Sequence, residues 1–345
     1  MDASAETISD QLLGWYDCHA RSLPWRSPPG SSRPHPYRVW LSEVMLQQTT
    51  TAAVAPYFLR FTERWPTIED LTAAGDSEVM AAWAGLGYYA RARNLLACAR
   101  AVAENGGRFP ATEAELRKLP GLGAYSAAAI AAIAFGQRAV VIDANVQRVV
   151  ARLFAIAEPL PTARKAIGMR AEQITPDQRS GDFAQAMMDL GATICTSRGP
   201  RCTACPLADC CAACGADPER FPAKPAKKPK PQRLGRAFWI ARDGAVWLVR
   251  RADKGMLGGM RSLPDDRWSA QGDGAGRQPL AGPWNSVGSV RHSFTHFDLD
   301  LQLMLYSGSD WASLDSDAGE WWPLDRMEQA GLPTLFAKAA LLATA

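Results

Sequence analysis

A chain of 345 residues with 47% hydrophobic and 21% charged side chains is long enough for two domains and has the composition of a globular protein. The formal net charge of +3 excludes nucleic-acid binding through a strong global field and leaves that task to local basic patches. The N-terminal MDASAETISD is acidic without the apolar core of a signal peptide, and the longest apolar run, Ala127 to Phe135, is too short for a bilayer. The expectation is a soluble cytoplasmic protein with no membrane partner.

From residue 7 to about 215 the pattern is helical, with no internal repeat and no strand-like alternation. Val54, Tyr57, Phe58, Phe61 and Trp65 recur at helical spacing and should face a core. In the stretch YRVWLSEVMLQQTT, Tyr37, Leu41 and Val44 share one helical face, and Trp40, Glu43 and Gln47 share another. Taken alone, that spacing makes Glu43 a solvated helix residue. Ala90 to Asn105 reads as a helix stopped by Gly106-Gly107.

LPGLGAY, residues 119–125, lies between a short helical stretch starting near Thr112 and an alanine-rich helix running to Phe135. Gly121 and Gly123 permit a tight turn and let the backbone approach a ligand without a Cβ in the way. Amides at the N-terminus of the following helix suit a phosphate. By itself such a turn often does no more than connect two helices. About twenty residues later, in VIDANVQRV, Asp143 stands at the mouth of a helix beginning near Asn145, a position where a carboxylate is commonly just a cap.

Six of the eight cysteines fall between 195 and 214, which argues for ligation over a disulfide framework. Cys195, Cys202, Cys205 and Cys211 are spaced C-x6-C-x2-C-x5-C. Thiolates gathered so tightly suit zinc or an iron–sulfur cluster. Zinc sites usually show two short knuckles, and only one is present here. Cys210 and Cys214 are spare thiols nearby. Cys210 is an alternative fourth ligand, and spacing alone favours Cys211.

Between 218 and 233, PERFPAKPAKKPKPQR holds five prolines and six Lys or Arg, the composition of an extended linker. It suits a strap along a phosphate backbone or a solvated spacer equally well. Beyond residue 235 the period changes to two. FWIAR and AVWLVR flank Asp243-Gly244, a hairpin signal. In FDLDLQLML, Phe297, Leu299, Leu301, Leu303 and Leu305 alternate with polar residues, so one face is buried. A last helix is expected after Pro333. Together these elements predict an all-α domain followed by a smaller α+β domain.

The cysteine spacing resembles the 4Fe–4S loop of the endonuclease III and MutY-type glycosylases, and the Leu119–Tyr125 turn resembles the helix–hairpin–helix of DNA repair enzymes. LPWR (Leu23 to Arg26), SEVMLQQT, GLGYYARARNL and QAMMDLGATIC follow in the order seen in the MutY-type adenine DNA glycosylases. The resemblance covers the chain from about residue 10 to its end. It implies a helical glycosylase domain over 1–217 with hairpin 119–125 and cluster loop 195–211, a linker over 218–234, and a Nudix-like domain over 235–345. It further implies one 4Fe–4S cluster on Cys195, Cys202, Cys205 and Cys211.

In that family the glutamate at Glu43 donates a proton to adenine, and the aspartate at Asp143 supports the cationic sugar, with Tyr125 and Asn145 orienting them. Contacts to DNA or its bases are expected from Arg26, Leu46, Gln48, Thr49, Leu86, Tyr88, Gly121, Gly123 and Asp189. Gln48 and Tyr88 would act as wedges, although Tyr88 also reads as a core aromatic. Bifunctional relatives carry a lysine at position 125, and a tyrosine cannot form a Schiff base, so an intact abasic product is implied. The second domain lacks the glutamate-rich Nudix box. Its HSFTHFDLDL places Phe294, Thr295 and His296 where the family usually has Phe-Ser-His, the loop that reads 8-oxoguanine. Arg261 stands where the family more often shows Trp.

The expected activity is hydrolytic removal of adenine opposite 8-oxoguanine or guanine in double-stranded DNA, by a monomer. The alternatives are an endonuclease III-like glycosylase and lyase for oxidised pyrimidines, and a DNA-damage binding protein without catalysis.

Overall fold

The structure, a computed structural model, describes residues 4–223, 229–252, 255–311, 314 and 319–344. Residues 224–228 of the expected linker lie outside that set. The chain separates into two compact units, Met1–Ala73 with Asn94–Lys227 and Ala74–Arg93 with Lys228–Ala345.

The first unit is helical: α1 (Ala5–His19), α2 (Pro36–Leu46), α3 (Thr51–Arg64) and α4 (Ile68–Ala73), then most of α6 (Ala90–Glu104) and α7 (Glu113–Leu116) through α8 (Ala124–Phe135), α9 (Ala144–Leu153), α10 (Arg164–Ile174) and α11 (Ser180–Thr193). Helix α5 (Asp76–Trp83) falls in the second unit. Side-chain caps start several helices at the expected residues. Thr112 accepts from the Glu115 amide at 3.3 Å, the N-cap bond, and its hydroxyl donates to the Glu115 carboxylate at 2.8 Å. Helix α8, AYSAAAIAAIAF, is buried from Ser126 to Ala134 and forms the centre of the unit. Its small side chains let neighbouring backbones approach: a Cβ on Gly181 would meet the Ala132 carbonyl oxygen at 2.5 Å.

Helix α2 departs from the two-faced reading. Tyr37 and every residue from Val39 to Met45 are buried, Glu43 among them at 4% exposure. A helix covered on all sides belongs to an interior, and the spacing of its apolar residues cannot show which neighbours cover it.

In the second unit β1 (Gln232–Trp239) pairs in parallel with β6 (Asp298–Tyr306), which pairs antiparallel with β5 (Trp284–Ser293). A second sheet joins β2 (Ala241–Arg242), β3 (Ala245–Arg250), β4 (Arg261–Ser262) and β7 (Gly319–Pro323). Asp243 and Gly244 both adopt positive φ between β2 and β3, as a two-residue type I′ turn requires. Leu299, Leu301 and Leu303 of β6 are buried with Phe297, Trp239, Leu248 and Phe336, the last from helix α12 (Thr334–Thr344). Strand β1 begins at Gln232, inside the stretch whose composition reads as linker; pairing with β6 orders residues that proline and charge alone would leave extended.

Candidate active site

A cavity of about 920 Å³ in the first unit is lined by Arg26, Glu43, Leu46, Gln48, Thr49, Gly121, Gly123, Tyr125, Asp143 and Asn145, ten of the residues singled out in the sequence. They come from the Leu23–Arg26 loop, the C-terminal half of α2 and the turn that follows it, the turn before α8 with that helix's first turn, and the start of α9. Gly121 has φ +75°, and a Cβ there would meet Asn94 Cβ at 2.6 Å, so the turn needs a glycine. Gly123 caps α8 without a side chain of its own, and no side-chain hydrogen bond closes that helix's first amides. Such amides form an anion site in the sense of a helix N-terminus.

The two carboxyls differ sharply in environment. Glu43 is buried, and its Oε2 has no hydrogen-bond partner among the described residues. Burial raises its pKa from 4.5 to about 7, against a hydrogen bond from Tyr125 and the charge of Arg26, while Asp143 adds to the rise. The Tyr125 phenol is pushed well above its usual value, first by burial and then by the Glu43 and Asp143 charges, so it remains neutral. Asp143 is half-buried. It is the N-cap of α9, where Oδ1 accepts from the Val146 amide at 2.7 Å and Oδ2 accepts from Asn145 Nδ2 at 3.0 Å.

Arg148, inside the VIDANVQRV motif but not singled out there, ties this carboxylate to the cysteine loop. Its Nη2 donates to Asn145 Oδ1 at 2.8 Å and to the Gly191 carbonyl at 2.7 Å, and its Nε donates to the Cys195 carbonyl at 2.8 Å. A Cβ on Gly191 would meet Asn145 Cβ at 2.6 Å, so α11 reaches the start of α9 only through a glycine. The signal in the sequence was a cation three residues after Asn145, on the same helical face.

The buried Arg152 gathers the loop that carries the cysteines. It donates to the carbonyls of Cys195, Thr196, Ser197, Pro218 and Phe221, and its Nη1 lies 3.3 Å from Cys195 Sγ. Burial first and neighbouring thiols second push up the Cys202, Cys205 and Cys211 thiols: Cys195 acts on all three, and Cys214 on Cys202 and Cys211. Cys210 points away, its Sγ 3.4 Å from Gln11 Oε1. No three ligand side chains among the described residues are arranged around a metal position. The donor chemistry nevertheless fits an iron–sulfur cluster: four soft sulfurs with a buried guanidinium beside one of them, able to offset thiolate charge.

Some residues expected at DNA are turned into the protein. Asp189 is fully buried and accepts from Arg21 Nε at 2.6 Å, the Arg21 amide at 3.0 Å and Arg26 Nη1 at 2.7 Å, so its carboxylate is occupied by two arginines. Leu86 is 6% exposed. Phe294 is half-buried, stacked on Phe297 at 4.8 Å and packed near Trp268 and His292. Apolar packing and ion pairing outweigh exposure at these positions.

In the second unit, Tyr88 is 48% exposed at φ +48°, which rejects its reading as a core aromatic. Its hydroxyl lies 3.2 Å from Thr295 Oγ1. The buried Arg91 sits over the Tyr88 ring at 5.4 Å and donates to the carbonyls of Leu86 and Gly87, fixing the turn that presents the tyrosine. Thr295 and His296 are exposed.

A family model described as HhH-GPD superfamily base excision DNA repair protein matches residues 41–171, and one described as NUDIX domain matches residues 236–341. Among curated proteins, the adenine DNA glycosylase of Homo sapiens is 33% identical over 97% of this chain and 74% of its own length. That of Mycolicibacterium smegmatis is 43% identical over 58% and 67%, and that of Buchnera aphidicola subsp. Schizaphis graminum is 29% identical over 94% and 95%. Among solved structures, a thermostable thymine-DNA glycosylase superposes with TM-score 0.55 at 30% identity over 61% of this chain and 95% of its own. A trapped endonuclease III–DNA covalent intermediate gives 0.51 at 24% over 61% and 97%, a likeness of fold.

Proposed function

The chain belongs to the adenine DNA glycosylase family, and we propose that it hydrolyses the N-glycosidic bond of adenine opposite 8-oxoguanine or guanine in double-stranded DNA. The observation that carries this reading is one cavity holding two carboxyls in different surroundings: Glu43, buried and neutral up to about pH 7, and Asp143, half-buried and held by an amide and a carboxamide. Depurination of this kind needs both an acid for the leaving base and a negative partner for the sugar.

Adenine first leaves the stack, at a cost of a few kcal/mol. Glu43 then passes its proton to a ring nitrogen of adenine. The C1′–N9 bond breaks with its electron pair moving to the base, which leaves an oxocarbenium-like sugar. The Asp143 carboxylate stabilises that cation by charge and by its fixed orientation. Water adds at C1′ and gives up a proton, yielding free adenine and an abasic sugar. Tyr125 orients Glu43 and offers no amine for a Schiff base, so the strand remains intact.

Cys195, Cys202, Cys205 and Cys211 would hold a 4Fe–4S cluster, which supplies a covalent tie for the loop and a redox centre when bound. Through Arg148 the same loop braces Asn145 and Asp143. For the opposite base, exposed Thr295 and His296 with Tyr88 form the reading surface, in which the Thr295 hydroxyl can meet the extra carbonyl or N7–H of 8-oxoguanine.

The test is a labelled duplex with a single A:8-oxoguanine pair, incubated with protein and run with and without alkali. A cut in the adenine strand only after alkali is expected. A cut without alkali would show a lyase, and binding without any cut would show a protein that only recognises damage. Thr295→Ala should leave adenine excision intact and reduce the preference for 8-oxoguanine over guanine, which competition between the two duplexes reads directly.

A further inference from the structure

The strongest unassigned feature is a charge arrangement beside the cavity. Arg26 lies on the loop after α1 with its side chain only 7% exposed. It lines the same cavity as buried Glu43 and half-buried Tyr125, and its charge acts on both and on the buried Tyr16. A cation lining the same cavity as a buried carboxyl favours the ionised form of that carboxyl. An ionised Glu43 has no proton to give. Asp189 on α11, with no exposure at all, pairs with this cation at 2.7 Å and with Arg21 at 2.6 Å.

We propose that Asp189 is a positioning residue of the acid–base centre: by holding Arg26 in a buried ion pair, it shields Glu43 from that cation and keeps the carboxyl protonated. This rests on the reading of Glu43 as the proton donor. The geometry distinguishes the role from direct contact with DNA, because both Asp189 oxygens are already accepting and neither reaches solvent. The groups that face Glu43 are Tyr125 from α8, Asp143 at the mouth of α9 and Arg26. Around Arg26 stand Asp189 from α11, which also pairs with Arg21, Tyr16 from α1, on which Asp182 of α11 acts as well, and the Glu43 and Tyr125 groups of the cavity. Asp143 and Asp189 thus act in the same direction on Glu43, the first directly and the second by cancelling a cation.

The prediction is a shift in titration and not only a loss of rate. In Asp189→Asn the carboxamide retains shape and one acceptor but not the charge, so the midpoint at which Glu43 ionises should fall by about one pH unit. In Asp189→Asn with Arg26→Gln both charges are gone and the midpoint should return to the parent value or above it. The midpoint is read on the full-length protein by infrared difference spectroscopy of the protonated carboxyl band, with Glu43→Gln as the blank. That readout needs no catalysis. Single-turnover adenine excision against pH is measured in parallel, and its alkaline decline should move with the infrared midpoint. An unchanged midpoint in Asp189→Asn, with or without slower excision, would overturn the proposal. A shifted midpoint with no alkaline decline in excision would uphold the charge relation and instead remove Glu43 as the acid.

Discussion

Glu43 and Asp143 share one cavity but are built on opposite principles. Glu43 sits in the interior of a helix buried on every side, with one oxygen unpartnered, and its neutral form is the stable one up to about pH 7. Asp143 sits at a helix end, where backbone and carboxamide donors turn toward its oxygens. One carboxyl is buried with a single oxygen reached by Tyr125 and keeps its proton up to about pH 7; the other has both oxygens accepting, from the Val146 amide and the Asn145 carboxamide. On the proposed mechanism, position relative to helix ends, as much as burial, divides the acid from the charge stabiliser.

The largest expected effect comes from Glu43→Gln. The amide retains the shape but carries no transferable proton, so adenine release should fall by at least ~100-fold while mispair binding survives. In the parent protein excision should decline as pH rises through about 7, where Glu43 loses its proton, and this limb should vanish from the residual activity of the variant. Normal excision by Glu43→Gln would dissolve the contrast between the carboxyls.

Asp143→Asn should also slow excision by roughly 100-fold, because a neutral amide gives the sugar cation far less support. Asn caps a helix as well as Asp does, so the melting temperature should stay unchanged. Full activity in this variant would leave Asp143 as a cap alone. Arg148→Met should cost less, on the order of 10-fold, since Asn145 then loses the donor that orients it toward Asp143. Iron content and the visible absorption of the protein are the control, because a fall in either would place the effect in the cysteine loop.

Much of this was legible in the residues, and the rest had physical reasons for being hidden. The hairpin turn announced itself through Gly121, where a left-handed backbone and a close neighbour leave no room for a Cβ. Asp143 was legible as a cap, and β6 through its strict alternation. The burial of Glu43 was not: periodicity places it on a face but cannot show that neighbours cover that face, and only the resemblance pointed to its chemistry. The pairing of Asp189 is hidden from the sequence for a related reason. Its two arginines lie 163 and 168 residues away in the chain, and no local pattern reports a pairing over that distance.

The smallest effect tests the cost of keeping Glu43 in place. A carboxyl with a pKa of about 7 in the folded chain and 4.5 when exposed stabilises the fold most at low pH. Below 4.5 it is protonated in both states and carries no penalty. Between 4.5 and 7 the unfolded chain gains by ionising while the folded chain does not, so stability is lost as pH rises. Above 7 the penalty is complete, at most about 3 kcal/mol. Glu43→Gln does not titrate and escapes it. Thermal unfolding of the two proteins should therefore agree most closely at about pH 4.5 and below, and separate by several degrees by pH 8, with the variant the more stable. A gap that stays constant across this range would mean that burial does not hold the proton on Glu43, and would place the acid elsewhere in the cavity.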